Sequence, residues 1–150
     1  MRGAKRPKLK VSPKGKKKPK IAFSSDAKEG HPKWAFSLID WDGPWSPLGM
    51  GKDKPDNRGN VIRKIIERLG NSEKTTWGDL KGSGSHLVGV DKLIRRAQLR
   101  LEASKIIVDE LFSLRLSNKE RIWGVLERDT LAILWWDSNH EICPSTKKHT

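Results

Sequence analysis

A chain of 150 residues is long enough for one domain with its own core, and its formal net charge of +13 calls for an acidic partner, nucleic acid first and an anionic membrane surface second. The excess is uneven: residues 1–33 hold twelve Lys and Arg against two acids, whereas residues 34–150 hold nineteen against sixteen. The single cysteine, Cys143, excludes an intramolecular disulfide and a cysteine-built zinc site and suits the reducing cytoplasm; no apolar run has the length of a membrane span, and no apolar stretch follows the basic N-terminus to make a secretory signal.

Residues 1–33 form a low-complexity basic arm, with KRPKLK followed by SPKGKKKPK. Pro and Gly break helices, like charges repel, and almost nothing apolar is there to bury, so the arm is expected to be disordered when free. Its sequence fits a nucleic-acid arm, with a solubilising extension and a nuclear-localisation signal as the alternatives. Residues 34–150 are then one domain. The stretch 34–41, WAFSLIDW, predicts a first strand closed by the turn-rich DGPWSP, and 50–60 a polar loop. Ile62, Ile65, Ile66 and Leu69 share a face of an amphipathic helix over 61–69, which Gly70-Asn71 stops. Thr75 or Thr76 can cap a short helix over 77–81. Gly82-Ser83-Gly84-Ser85 ends that helix; it lacks the residues of a P-loop or a dinucleotide fingerprint and reads as a linker. Over 91–103 a helix is expected, with Leu93, Ile94, Ala97 and Leu101 on its buried face and Lys92, Arg95, Arg96 and Arg100 on a basic one.

From residue 111 to 140 the periodicity changes to two. Phe112, Leu114 and Leu116 alternate with Ser113 and Arg115; after Ser117-Asn118-Lys119, Ile122 and Leu126 alternate with Arg121, Trp123 and Val125. Arg128-Asp129-Thr130 is a second polar break, and 131–136 is apolar throughout, as in a strand buried on both faces. Three strands of an antiparallel meander follow from this, with 141–144 as a further short strand. Segregated helices and an antiparallel sheet of three to five strands make the fold class α+β.

Candidate chemistry is thin outside this meander. The four histidines lack metal-ligand spacing, and His140 with Cys143 at i, i+3 gives two ligands, so neither a metal nor another cofactor is expected. Cys143, between Glu141 and Pro144, reads as a small buried hydrophobe rather than a nucleophile. Arg115 and Arg121 fall on consecutive strands, and the third strand runs into Asp137-Ser138-Asn139-His140. Surface charges on a sheet are ordinary. Yet metal-free RNA cleavage needs a base for the 2′-hydroxyl, cations for the phosphorane and an acid for the leaving oxygen, and Arg, Lys and His supply all three. Trp135 and Trp136 must face opposite ways, one into the core and the other a candidate for base stacking.

The segment 112–144 resembles the C-terminal strands of the RelE/ParE toxin superfamily. The resemblance rests on Leu114-Arg115-Leu116, on Arg121-Ile122-Trp123-Gly124, and on 131–136 followed by Asp137–His140. The chain is also similar to uncharacterised bacterial toxin-like proteins that share an R-x-W-G … L-W-W-D-x-x-H ending. The resemblance covers about a third of the chain; the region 34–89 is longer and less regular than the family's helical hairpin, and the arm has no counterpart in it. It implies two helices packed on a four-stranded antiparallel sheet and a metal-independent mRNA endoribonuclease, held inactive by an antitoxin. On that reading Arg115 and Arg121 hold phosphate and His140 acts as acid or base, with no tyrosine available for the role. The arm, Lys92, Arg95, Arg96, Arg100, Lys147 and Lys148 would bind mRNA or the ribosome. The alternatives are a non-catalytic nucleic-acid-binding protein, in which the same cations only bind, and a phage or plasmid accessory protein whose sheet docks another protein.

Overall fold

The computed structural model describes residues 30–47 and 58–144. The expected arm up to residue 29, most of the polar loop over 50–60, and Lys147 and Lys148 lie outside the described residues. One mixed sheet carries the fold, with strands β1 (Lys33–Ala35), β2 (His86–Gly89), β3 (Glu110–Arg115), β4 (Arg121–Glu127) and β5 (Thr130–Asp137) in the order β1-β5-β4-β3-β2. Helices α1 (Arg58–Ser72), α2 (Trp77–Gly82) and α3 (Arg95–Ala103) complete an α+β domain.

The meander forms as its period-two pattern requires. Ser117 Oγ accepts from Glu120 N at 3.1 Å and closes the β3–β4 turn, and a two-residue turn with Arg128 at φ 54° joins β4 to β5. Helix α3 covers one face: Leu93, Ala97 and Leu101 pack with Val88, Leu111, Trp123, Val125, Leu134 and Trp135. Helices α1 and α2 cover the other, where Leu69 and Trp77 meet Phe112, Leu114, Ile122, Leu131, Ile133 and Trp136. Covering on both sides is why β5 can be apolar without a break. Trp77 is fully buried, edge-on to Phe112 with ring centroids 5.2 Å apart, and its indole N–H donates to the Asp129 carbonyl at 2.9 Å. Thr76 is the α2 cap, its side chain accepting from Asp79 N at 3.2 Å.

A bulge breaks the β4–β5 register between Trp123 and Gly124, leaving Leu134 as the extra residue. Leu134 and Trp135 therefore both enter the core under α3, while Trp136 enters the other. A Cβ on Gly124 would stand 2.3 Å from the Ala132 carbonyl oxygen, so only glycine fits opposite the bulge.

Five expectations about the elements need correction. Helix α1 runs through the expected Gly70-Asn71 stop to Ser72, and of its expected apolar face Leu69 is buried while Ile62 and Ile66 are exposed. The first strand is only Lys33–Ala35 and runs parallel to β5; residues 36–47 then turn back along the sheet edge, where Asp40 N donates to Leu134 O and the Trp45 carbonyl accepts from Trp136 N. The linker 82–85 leads into a strand, β2, that periodicity over four residues is too short to reveal. The helix expected over 91–103 is a 3-10 turn, Val90–Lys92, followed by α3, because Ile94 N is taken by the Ile142 carbonyl at 2.9 Å. Residues 141–144 add no strand; Glu141 N and Ile142 N both donate to the Asp137 carboxylate, at 2.9 and 3.0 Å.

Candidate active site at one end of the sheet

Strand register alone gathers the chemistry. Arg115 lies opposite Arg121, and Arg121 opposite Asp137; two rows inward, His86 lies opposite Ser113, which pairs with Trp123. Alternation puts His86, Ser113, Arg121 and Asp137 on the α3 side of the sheet. The turn after β5 brings His140 to the same end.

Arg121 is 9% exposed, and its Nη1 donates to the Ser117 and Glu120 carbonyls at 2.6 and 3.0 Å. These neutral acceptors fix the fork without cancelling its charge. The neighbouring Glu120 carboxylate is held instead by Lys64 at 3.1 Å. Burial lowers the Arg121 pKa, the Arg115 charge lowers it further, and Asp137 opposes both. The guanidinium nonetheless stays charged near neutrality.

Asp137, 1% exposed, spends its carboxylate on the Trp123 indole N–H at 3.4 Å and on the backbone of Glu141 and Ile142. It thereby folds the turn that presents His140. His140 itself sits at φ 58°, a left-handed conformation that costs energy for a residue with a Cβ and is held here by the Asp137 bonds on its C-terminal side. Burial lowers the His140 pKa below its ordinary value; Arg121 lowers it too, Asp137 opposes, and His86 adds to the lowering. The imidazole is therefore mainly neutral at pH 7 and able to accept a proton. His86 is exposed, with Nδ1 3.2 Å from the Gly84 carbonyl. A carbonyl only accepts, so Nδ1 is the donor in that bond and the other ring nitrogen takes no part in it.

Arg115 behaves differently from Arg121. Beyond Ser113 the edge of β3 is no longer covered by β2; Ser85 Oγ accepts from Arg115 N at 2.9 Å. Its exposed side chain lies against Gly84, where φ is 101° and an added Cβ would meet the Arg115 Cδ and Nη1 at 3.1 Å. Arg115 Nη2 donates to Asn118 Oδ1 at 2.9 Å, and the chain lines a cleft with Arg68 on α1.

The remaining expected contacts divide. Lys92, Arg95 and Arg96 are exposed on the α3 side, with Arg96 5.8 Å above the Trp45 ring. Arg100 is not a free cation: Nε and Nη2 donate to the two carboxylate oxygens of Asp40 at 2.8 and 2.6 Å. Trp135 and Trp136 are both buried, 1% and 5% exposed, so neither offers a ring for base stacking. Cys143 is half-buried beside the α3 core. Among the described residues no group of three or more His, Cys, Asp and Glu is placed to hold a metal ion. His86 and Arg68 were not singled out in sequence. His86 follows a linker-like GSGS, and Arg68 looks no different from Arg63, which merely pairs with Glu67 one turn along.

No protein-family model, curated protein or solved structure matches the chain.

Proposed function

We propose that the chain is an endoribonuclease of RelE-like toxin type that cleaves RNA without a metal. The observation that carries this reading is the neutral-leaning imidazole of His140 beside the Arg121 guanidinium, which has no direct ion pair among the described residues. His140 takes the proton from a ribose 2′-hydroxyl, and the 2′-oxygen attacks the adjacent phosphorus. The P–O5′ bond breaks, leaving a 2′,3′-cyclic phosphate, and the 5′-oxygen takes a proton from the imidazolium form of His86, which carries an N–H on both ring nitrogens. Arg121 holds the charge that develops on the phosphorane oxygens, a contribution of about 10²–10³ in rate for one well-placed donor. Helices α1 and α2 precede the meander and cover one of its faces, in line with the fold the resemblance implies; α3 and the parallel β1 depart from it.

The test is to incubate purified protein with mRNA, alone and on translating ribosomes, in chelator. Cleavage to products with cyclic-phosphate ends, lost in His140→Asn, supports the reading. Uncut RNA in both settings overturns it. The exposed cations Lys92, Arg95 and Arg96 favour the second reading in that event, a nucleic-acid-binding protein without catalysis.

A further inference from the structure

Where the C-terminal end of α1 meets the β3–β4 turn at the end of the sheet, a cleft of about 370 Å³ is lined by Arg68, Asn71, Ser72, Thr75, Arg115 and Leu116. It holds two arginines that no carboxylate balances, brought together on one concave surface. Lys33, Arg63, Lys64 and Arg100 each have a carboxylate in ion-pair contact, with Asp129, Glu67, Glu120 and Asp40. Arg68 and Arg115 have none among the described residues. Both are instead positioned by neutral acceptors: Arg68 Nη1 donates to the Leu116 carbonyl, and Arg115 to the Ser117 carbonyl and Asn118.

The cleft also lies at the C-terminal end of α1, where helix carbonyls would repel an anion. The local hydrogen bonds remove that objection. Ser72 Oγ donates to Arg68 O at 3.0 Å, Thr75 N and Oγ1 both donate to Ser72 O, and Lys74 N donates to Asn71 O. The carbonyls of Leu69, Asn71 and Ser72 are thus satisfied, and the hydroxyl hydrogens are spent on carbonyls. The donor side chains left in the lining are those of Arg68 and Arg115, each with guanidinium N–H groups beyond those already used, and of the exposed Asn71. Planar forks of this kind match the oxygens of a phosphate.

Arg115 ties the cleft to the site already described, since it stands opposite Arg121 in the sheet register. We infer that the Arg68–Arg115 cleft binds a second phosphodiester of the same RNA strand, flanking the one held at Arg121. The inference rests on the nuclease reading for the identity of its ligand, but it can be tested apart from cleavage. It gives Arg68 a role in substrate positioning and makes the enzyme favour longer strands over a dinucleotide.

The experiment uses the full chain and two probes, a dinucleoside phosphate and a ten-nucleotide RNA, each also made with a 2′-deoxyribose at the cleavage position so that binding is read without reaction. Arg68→Gln should weaken binding of the uncleavable ten-mer several-fold and lower the slope of log K against log salt by about one. Its KM for the ten-mer should rise by the same factor with kcat unchanged, and turnover of the dinucleotide should match wild type. Asn71→Asp places a carboxylate in the cleft at an exposed position, without touching the bond from Arg68 to Leu116, and should weaken the ten-mer in the same direction. Arg68→Lys, which keeps the charge, should preserve the salt slope. Unchanged ten-mer affinity and slope in both Arg68→Gln and Asn71→Asp overturn the inference. If wild type binds the ten-mer but never cuts it, while both variants still lose affinity, the cleft stands and the nuclease reading alone falls.

Discussion

Arg100 grips Asp40 through both carboxylate oxygens, at 2.6 and 2.8 Å, and Asp40 is only 4% exposed. The same carboxylate accepts the Trp135 indole N–H at 3.2 Å. One ion pair thus fastens α3, the turn after β1 and the bulged strand β5 to one another. Burial would raise the Asp40 pKa, but the hydrogen bonds from Arg100 and Trp135 and the Arg100 charge hold it below the usual carboxylate value.

Breaking this pair should be costly. Arg100→Ala strands a buried carboxylate and is expected to lose about 3–5 kcal/mol in urea unfolding, the usual range for removing one partner of a buried pair. Asp40→Asn should recover part of that loss when added to Arg100→Ala. Because the folded pKa of Asp40 lies below the unfolded one, its contribution is full above the ordinary carboxylate range and disappears as pH falls through the depressed folded value. Wild type should therefore lose more stability on acidification than Asp40→Asn does, read as thermal midpoint against pH.

The pH dependence of cleavage should report His140. A base with a lowered pKa is already deprotonated below the ordinary histidine range, so the acid limb of kcat/KM should have its midpoint below about 6.5. Arg121→Lys should lower the rate while keeping a charge near His140. Arg121→Gln removes that charge and should move the acid limb upward, toward the ordinary histidine value. An acid limb that stays put in Arg121→Gln would show that His140 is not the titrating base. His140→Asn is the better inactive control than alanine, since Asn tolerates a left-handed backbone.

Two glycines should respond oppositely to alanine. Gly124→Ala drives a Cβ into the Ala132 carbonyl across the bulge, a backbone contact that cannot yield without separating β4 from β5. A loss above about 2 kcal/mol is expected, in the range of steric overpacking. Gly70 lies inside α1 with nothing within 4 Å of an added Cβ, so Gly70→Ala should stabilise by about 0.4–1 kcal/mol. Thermal unfolding of the two variants decides the point.

Helix α3 should show two faces of unequal weight. Leu101, 3% exposed, is packed among Leu111, Trp123 and Trp135 in the α3 core, and Leu101→Ala should cost about 2–5 kcal/mol. Arg96 lies over the Trp45 ring at an exposed position, and Arg96→Ala should cost about 0.5–1 kcal/mol. Equal losses in urea unfolding would mean the helix is docked by a different face.

The sequence by itself determined the meander, because a period of two over three consecutive segments admits one register of buried and exposed residues. It also placed Phe112, Leu114 and Ile122 against Arg115, Arg121 and Trp123, and it marked the Thr76 cap and the buried face of α3, since these depend on neighbours within a few residues. Tertiary structure decided the rest. Strand β1 is three residues long and exists only because β5 offers it a parallel edge. Strand β2 is defined by pairing with β3 rather than by any pattern of its own. Arg100 looked like its neighbours Arg95 and Arg96 until the chain brought in Asp40 from 60 positions away. The same holds for the candidate site: the separation of Arg121, His86 and His140 along the chain conveys nothing, and their nearness is set by strand register and by a turn that Asp137 folds through two backbone bonds. Local patterns fix which face a side chain takes; only long-range pairing fixes which charges end up balanced and which are left free to hold a ligand.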